Sequence, residues 1–177
     1  VDSMKTMVDA FSEYAKTPEL TLRNININGL IREVVELYRI NQTNAEIILD
    51  LDGSPILNID GDRIRQLLVN LIKNALDAMN DNNENSAKNR SKLTICSAIE
   101  KTTDNKKMFK LTLSDNGPGI DEGLLPHLFE PYKTTKTNGD GLGLAIVKRI
   151  VEEHDGRVLA KNNKDQGASI HVFLPYE

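Results

Sequence analysis

The chain has 177 residues, of which 39% are hydrophobic and 27% are charged, and its formal net charge is −4. This balance is typical of a globular domain and excludes a disordered chain, while the acidic charge argues against nucleic acid as the main partner because phosphate backbones select basic surfaces. The single cysteine, Cys96, excludes an intrachain disulfide, and no apolar run approaches the roughly 20 residues of a membrane span. We therefore expect a cytoplasmic domain, with any membrane anchor in another part of a longer parent protein.

The first predicted element is a helix over residues 1–17, which Pro18 ends because proline cannot continue a helix. Its apolar residues follow alternating steps of three and four: Val1, Met4, Val8, Phe11 and Ala15. This short heptad pattern fits the end of a coiled coil, and it fits equally an amphipathic helix packed on its own domain. The pattern is already under way at Val1, without an initiator methionine, so we expect the chain to be a fragment.

The middle of the chain predicts two helices with two strands between them. The first helix covers residues 28–41, with Asn28 as its N-cap. Two β-rich runs follow at residues 46–51 and 56–59, and the polar turn that joins them predicts that they pair. The strongest helical pattern in the chain covers residues 62–79.

The C-terminal half is predicted to contain strand pairs, loops and one helix. In order, these are a flexible polar loop at 80–91, a strand pair at 92–100 and 109–114, a long loop region at 115–141, a helix at 142–153, and a final hairpin of strands 157–161 and 169–174. Strands that come in pairs favour antiparallel pairing, and the strict alternation of a doubly wound fold is absent. We therefore predict an α/β sandwich of two layers, with helices on one face of a mixed, mainly antiparallel sheet.

The helix at residues 62–79 has an unusual polar face. Asn70, Lys73, Asn74 and Asp77 recur there at helical spacing, opposite the apolar face. The simple interpretation is a solvated surface, which is favoured on this helix alone. Asparagine is a mediocre helix former, however, and two amides one turn apart can offer oxygens to Mg²⁺ and N–H donors to phosphate.

Two glycine-containing segments carry the other candidate residues. Asp115, Gly117 and Gly119 follow a predicted strand. They form a tight turn, or they place a carboxylate where it accepts a hydrogen bond from the amine of adenine, with glycines that let the backbone approach the base. Residues 139–144 open a helix with glycines whose N–H groups can bind phosphate. The polar loop at residues 133–138 is a solvated connection or a mobile lid over a polyphosphate.

Two common nucleotide-binding motifs are excluded for the segment at residues 139–144. It is not a Walker A loop, because no Gly-Lys-Ser/Thr follows. It is not a dinucleotide-binding fingerprint either, because a polar loop rather than a strand precedes it.

Together, the order and spacing of these segments resemble the catalytic domain of sensor histidine kinases, within the wider gyrase, Hsp90, histidine kinase and mismatch-repair ATPase family. The resemblance covers residues 20–177. Its motifs are the N box at 70–74, the G1 box at 115–119, the F box at 128–132 and the G2 box at 139–144, followed by Gly167 before the last strand. Residues 1–19 are then expected to be the end of the dimerisation helix and its linker, and residues 7–15 resemble nitrogen-regulation sensor kinases of the NtrY type.

The resemblance implies a Bergerat-type ATP-binding fold with ATP and Mg²⁺ as cofactors. Asn74 would bind the metal with help from Asn70, Asp115 would read adenine, and Phe129 would seat the lid. The ATP-binding residues that it implies are Asn70, Lys73, Asn74, Asp77, Asp115, Gly117, Gly119, Ile120, Tyr132, Thr135, Lys136, Gly139, Gly141, Leu142, Gly143 and Leu144.

One departure from the wider family concerns the reaction. ATP-hydrolysing members carry a glutamate base one helical turn before the metal-binding asparagine, where this chain has Asn70, which cannot take a proton from water. The resemblance therefore implies transfer of the ATP γ-phosphoryl group to a histidine of the parent protein's own dimerisation domain, and then to a response regulator. The parent is expected to be a homodimer. Because His127, His154 and His171 lie in no acceptor context, the phosphorylated histidine is expected outside this chain.

Two other functions stay open at the level of sequence. A related serine kinase of the anti-sigma-factor type would act on a separate protein, but it would not need the helix at residues 1–17. The intact motifs argue against a non-enzymatic nucleotide-sensing or dimerisation module, and an activity assay decides between that module and an enzyme.

Overall fold

The computed structural model describes residues 19–41, 45–80, 90–133 and 141–176. Its elements in chain order are β1 (Arg23–Asn26), α1 (Ile27–Ile40), β2 (Glu46–Leu51), β3 (Ile56–Ile59), α2 (Gly61–Asn80), β4 (Lys92–Lys101), β5 (Lys107–Asp115), a short 3-10 helix (Leu125–His127), α3 (Gly143–Glu153), β6 (Arg157–Asn162) and β7 (Ala168–Pro175). The predicted helix at residues 1–17 lies outside the described residues. In the described part of the chain, no helix is both long and apolar enough to cross a membrane.

Five strands form the main sheet in the order β2-β4-β5-β7-β6, and β1 pairs separately with β3. The β2–β4 pair is parallel, whereas the other three pairs of the main sheet are antiparallel. The three α-helices pack on one face of this sheet. The predicted two-layer sandwich with a mixed, mainly antiparallel sheet is therefore confirmed.

The hydrophobic core lies between the sheet and the helices. Alternate side chains of each strand enter it, as Leu93 and Ile95 do from β4, because neighbouring side chains on a strand point to opposite faces. The core face of α2 is formed by residues at spacings of one, three and four: Ile64, Leu67, Leu68, Leu71, Ile72, Ala75 and Met79. Burying each large aliphatic side chain stabilises the fold by about 1.5–3 kcal/mol. Burial of this face turns Asn70 and Asn74 away from the core.

The start of α1 differs from the prediction. Its N-cap is Asn26, whose side chain accepts a hydrogen bond from Gly29 N at 3.1 Å. Asn28 lies inside the helix and is fully buried, so the prediction that it caps the helix is wrong. Its amide donates to the carbonyls of residues 52 and 53, and its oxygen accepts a hydrogen bond from Ser97 Oγ at 2.9 Å. Either asparagine suits an N-cap locally, and only the buried partners of Asn28 decide between them.

The predicted pairing of the runs at residues 46–51 and 56–59 is also wrong. The first run, β2, pairs with β4, and the second, β3, pairs with β1, a strand that the sequence analysis did not predict. The turn between them has its carbonyls bound by Asn28 of α1. The chain therefore passes from one sheet to the other at this turn instead of folding back on itself.

Asp60 fixes the start of α2. Its Oδ1 accepts hydrogen bonds from Asp62 N and Arg63 N, each at 3.1 Å, and its Oδ2 accepts one from Thr21 N at 2.9 Å. Burial by itself would raise the pKa of the Asp60 carboxyl, but the three backbone donors and the charge of Arg63 outweigh it and hold that pKa below its usual value. Asp60 N also donates to His154 Nε2 at 3.0 Å, which ties the start of α2 to the end of α3.

Candidate functional site

The polar face of α2 meets the start of α3. A Cβ atom placed on Gly143, the first residue of α3, would lie 3.7 Å from Asn74 Nδ2 and 3.8 Å from Asn70 Oδ1. Asn70 Nδ2 is buried and has no hydrogen-bond partner among the described residues. The N-cap position of α3 is Leu142, whose apolar side chain cannot satisfy the N–H groups of the first turn. Two amides and a helix N-terminus thus converge, a combination that suits a phosphate chain and a hard cation.

The other predicted residues of α2 and α3 lie at different depths. Asn70, Asn74 and Asp77 are half-buried, whereas Lys73 is exposed, and Leu144 is half-buried in the first turn of α3. Among the described residues, no group of three or more His, Cys, Asp or Glu side chains could hold a metal ion. A cation beside α2 would therefore depend on amide oxygens and on the phosphate oxygens of a ligand, and these are ligands that Mg²⁺ accepts.

Asp115 ends β5 near the C-terminal end of α2. Its Oδ1 accepts hydrogen bonds from Gly117 N at 2.9 Å and from Ala168 N at 3.4 Å. Burial raises the pKa of the Asp115 carboxyl, and the backbone donors offset only part of that rise. A Cβ atom on Gly117 would lie 2.9 Å from Asp115 Oδ1 and 3.5 Å from Ala78 O, so Gly117 fills the gap between the carboxylate and α2.

Two more glycines allow the loop after Asp115 to pack closely against the β6–β7 hairpin. Gly119 has φ +84°, and a Cβ atom there would lie 3.0 Å from Asn162 Oδ1. Gly167 also has φ +84°, and a Cβ atom there would overlap the carbonyl oxygen of Asp115. Residues with side chains rarely adopt this conformation. The packing of the protein itself therefore requires these glycines. This reason is independent of the one from the sequence analysis, that glycines let the backbone approach a base.

Tyr132 and Gly141 hold together the two ends of the segment between them. Tyr132 N donates to Gly141 O at 3.0 Å, and a Cβ atom on Gly141 would lie 2.8 Å from backbone carbons of Tyr132. Residues 134–140 lie outside the described part of the chain, so the lid stays a prediction. The predicted site residues that fall in that segment are Thr135, Lys136 and Gly139.

Two residues that the sequence analysis did not single out bind the loop after Asp115. Asn162 Oδ1 accepts a hydrogen bond from Ile120 N at 2.7 Å, and Asn162 Nδ2 donates to Ile120 O at 2.7 Å. Asn163 Nδ2 donates to Asp115 O and to Ser114 Oγ, each at 3.1 Å. The sequence signal is a pair of adjacent asparagines ahead of a hairpin glycine, which is too common in turns to predict a function.

The three histidines contact groups of the protein itself. His154 and His171 are buried, and His171 Nδ1 lies 2.9 Å from Thr112 Oγ1. His127 is exposed, and its Nδ1 lies 2.7 Å from Glu130 Oε1. Two of the three rings are therefore shielded from an external phosphoryl donor.

Comparison with known proteins agrees with this arrangement. Residues 59–177 match the family described as histidine kinase-, DNA gyrase B-, and HSP90-like ATPase. The sensor histidine kinase ZraS of Salmonella typhimurium is 33% identical over 177 residues, which cover 98% of this chain and 36% of that protein. The chain thus spans about a third of the length of this curated relative.

Solved structures give the same result. The catalytic domain of histidine kinase ThkA is 32% identical, with a TM-score of 0.72 and coverage of 88% of this chain and 95% of that one. ThkA in complex with the response regulator protein TrrA is 29% identical, with a TM-score of 0.76 and coverage of 99% of this chain and 48% of that one. The narrower likeness to NtrY-type kinases rests on residues 7–15, outside the described residues, and stays a prediction. The chain belongs to the histidine kinase-, DNA gyrase B- and HSP90-like ATPase family, and it is an ATP-binding catalytic domain of the sensor histidine kinase type.

Proposed function

We propose that this domain transfers the γ-phosphoryl group of Mg·ATP to a histidine on the dimerisation domain of its parent protein, which acts as a homodimer, and that a response regulator receives the group next. The observation that carries the proposal is the convergence of Asn70 and Asn74 with the start of α3 at Gly143, together with the half-buried carboxylate of Asp115 near the C-terminal end of α2. The complex of the related ThkA with a response regulator supports the last step. Residues 1–19 would then end the dimerisation helix.

The base of the nucleotide is assigned to the loop after β5. Asp115 lies at a strand end with its Oδ1 held by backbone donors, so its carboxylate is fixed in position before a ligand arrives. An ionised carboxylate is a strong acceptor for the exocyclic amine of adenine. Gly117, Gly119 and Ile120 lie in the same loop and would complete the adenine side of the site.

The phosphates are assigned to α2 and to the first turn of α3. Backbone N–H groups from Gly141 to Leu144, just before and at the start of α3, would bind phosphate oxygens, and the buried Nδ2 of Asn70 has a donor to contribute. Asn74, assisted by Asn70, would hold Mg²⁺, which when bound would neutralise charge on the phosphate oxygens. The remaining assigned residues are Lys73, Asp77, Tyr132, Thr135, Lys136 and Gly139.

The residue types favour transfer over hydrolysis. An amide at Asn70 cannot accept a proton from water, so the position next to the proposed cation carries no base. In the proposed reaction, the bond between the γ-phosphorus and the β,γ-bridging oxygen breaks while a histidine nitrogen forms the new P–N bond, and ADP leaves. The histidine comes from the parent's dimerisation domain, and it loses its ring proton to solvent.

The decisive experiment supplies the missing acceptor. The chain is incubated with Mg²⁺ and radiolabelled ATP, alone and with the separately prepared dimerisation domain of its parent. We expect no label on the chain and weak label on the added domain, because cutting the linkage lowers the effective concentration of the acceptor. The label should be lost in acid and kept in base, as expected for phosphohistidine.

Other outcomes would support a different function or a different acceptor. Acid-stable label on a serine would favour the serine-kinase alternative, and strong label on His127, His154 or His171 would overturn the assignment of the acceptor to another domain. A dimerisation domain with its histidine changed to alanine is the matched control and should stay unlabelled. Nucleotide binding without any transfer would favour a sensing module.

A further inference from the structure

The side chain of Asn162 forms hydrogen bonds with the loop after Asp115 in the way that the backbone of an additional strand would. It is the last residue of the edge strand β6, and its amide bonds both polar backbone groups of Ile120 at 2.7 Å. Two such hydrogen bonds to one residue reproduce the pairing that a neighbouring strand would make. The side chain therefore fastens the far end of the loop to the edge of the sheet.

The hairpin does not need this side chain for its own fold. Asn162 is paired with Ala168 through the backbone, and Asn163 N donates to Gly167 O at 2.9 Å to close the turn. The amide of Asn162 is thus directed at the loop and not at its own turn. Gly119 leaves room for it, because a Cβ atom there would lie 3.0 Å from Asn162 Oδ1.

The near end of the loop is fastened by the next residue. Asn163 Nδ2 donates to Asp115 O, while Ala168 N donates to Asp115 Oδ1. The segment from Asp115 to Ile120 is therefore bound at both ends by one hairpin. A loop held in this way loses less conformational freedom when a ligand binds, which raises affinity.

We propose that Asn162 is a positioning residue for the adenine subsite, and that it sets both the affinity for adenine nucleotides and their selection over guanine nucleotides. The assignment rests on the proposed nucleotide-binding function. Asn162 acts through Ile120 and the loop, which keeps the Asp115 carboxylate in position for a hydrogen bond with the base. Asn162 need not touch the nucleotide. When the loop is released, the site binds adenine nucleotides as weakly as it binds guanine nucleotides. The selectivity for adenine therefore falls together with the affinity for adenine nucleotides.

The test compares Asn162→Ala and Asn162→Asp with the unaltered chain. Aspartate has the same shape and can accept from Ile120 N, but it cannot donate to Ile120 O and places negative charge against that carbonyl. Both variants should bind ADP about 10-fold more weakly by calorimetry while GDP binding changes little, so the ratio of the two dissociation constants falls by about the same factor. Lys164→Ala, an exposed residue of the same hairpin, is the matched control and should leave the ratio unchanged.

Amide exchange gives a readout that binding alone does not. The Ile120 amide should exchange faster in Asn162→Ala than in the unaltered chain, because Asn162→Ala removes its hydrogen-bond acceptor, while the amide of Leu113, inside β5, should not change. Unchanged Ile120 exchange in folded Asn162→Ala, or an unchanged ADP-to-GDP ratio in either folded variant, would overturn the proposal. Failure of the unaltered chain to bind ADP would instead count against the proposed function itself.

Discussion

Asp115 combines a cost to folding with a proposed role in binding. Its carboxyl is buried enough that its pKa is raised, so the ionised form is less stable in the folded chain than in water. Gly117 N and Ala168 N donate to its Oδ1 and compensate in part. Groups that oppose stability in this way are concentrated at functional sites.

Asp115→Asn should separate the two effects. Asparagine keeps an oxygen for both backbone donors and removes the buried charge, so the free energy of unfolding without nucleotide should stay equal or rise. ADP affinity should fall about 10-fold or more, because a hydrogen bond to a charged acceptor contributes about 1.5–3 kcal/mol. Urea unfolding and calorimetry measure the two quantities. The control is Asp121→Asn, because Asp121 lies in the same loop and also accepts a hydrogen bond from an N–H two residues ahead. Equal ADP affinity in the two variants would remove Asp115 from the site.

The raised pKa of Asp115 also predicts a pH dependence. The carboxyl should take up a proton at a higher pH than an exposed aspartate, whose pKa is about 4, and the protonated form is a weaker acceptor. ADP affinity should therefore begin to fall, on acidification, at a pH above the usual pKa of an aspartate. At neutral pH the buried charge lowers the free energy of unfolding, and this effect disappears as the pH falls through the folded-state pKa. The stability advantage of Asp115→Asn over the unaltered chain should therefore shrink in that pH range. Dissociation constants that vary identically with pH in the two chains would contradict this.

Asn74 tests the phosphate side of the site. Asn74→Ala should weaken Mg²⁺-dependent ATP binding by about 1.5–3 kcal/mol, the scale of an interaction with a charged group. Calorimetry with and without Mg²⁺ isolates the metal-dependent part. Asn58→Ala, at an exposed position on β3, is the control and should bind as the unaltered chain does. A loss that is the same with and without Mg²⁺ would assign Asn74 to the phosphates and not to the cation.

At the scale of elements, α2 joins the core to the site. Its apolar face is buried against the sheet, and this orientation points Asn70 and Asn74 toward α3. Its start is held by Asp60, whose carboxylate accepts three backbone hydrogen bonds and whose N–H donates to His154. One hydrogen bond, from Asp60 N to His154 Nε2, thus joins the start of α2 to the end of α3, far from Asp115.

Asp60→Ala should destabilise the fold through α2. Loss of an N-cap side chain costs about 0.5–2 kcal/mol, and here the hydrogen bond from Thr21 N is lost as well. Because the folded-state pKa of Asp60 lies below its unfolded value, its stabilisation is complete above about pH 4 and is lost as the pH falls through the folded-state pKa. Urea unfolding at about pH 7 and about pH 3 should therefore show a smaller difference between the two chains in acid. A difference that does not depend on pH would mean that the charge of Asp60 contributes nothing.

At the scale of the whole molecule, the site is assembled from residues far apart in the chain. Asn70 on α2 lies against Gly143 on α3, and Asp115 at the end of β5 lies near the C-terminal end of α2, because β5 lies inside the sheet and both helices pack on the same face of it. A ligand that contacts all three binds only the folded chain. Its binding free energy therefore adds to the stability of the fold.

Nucleotide binding should consequently stabilise the entire domain. ADP with Mg²⁺ at about 100 times its dissociation constant should raise the free energy of unfolding by about 2.7 kcal/mol. Urea unfolding with and without the nucleotide measures this, with GDP at the same concentration as the control. A shift of the same size with GDP would contradict the proposed selection of adenine by Asp115.

Much of the architecture could be predicted from local patterns. The apolar periodicity of α2 and the paired β-rich runs of β4–β5 and β6–β7 predict their elements, because burial of one face imposes a period of 3.6 on helices and of 2 on strands. The placement of Asn28 and the partners of β2 and β3 could not be predicted. Those depend on contacts between residues that are distant in sequence.

The same division holds for the site. The sequence by itself determined the family, the helix that carries Asn70 and Asn74, and the glycine-rich loops, because spacing along the chain records local conformation. Only the tertiary structure decided which groups meet: the Asn pair with Gly143, and Asn162 with Ile120 across 42 positions of sequence. The physical reason is that a side-chain hydrogen bond depends on distance in space, and the strand order that brings β6 beside the loop after β5 is fixed by burial of the whole sheet and not by any local pattern.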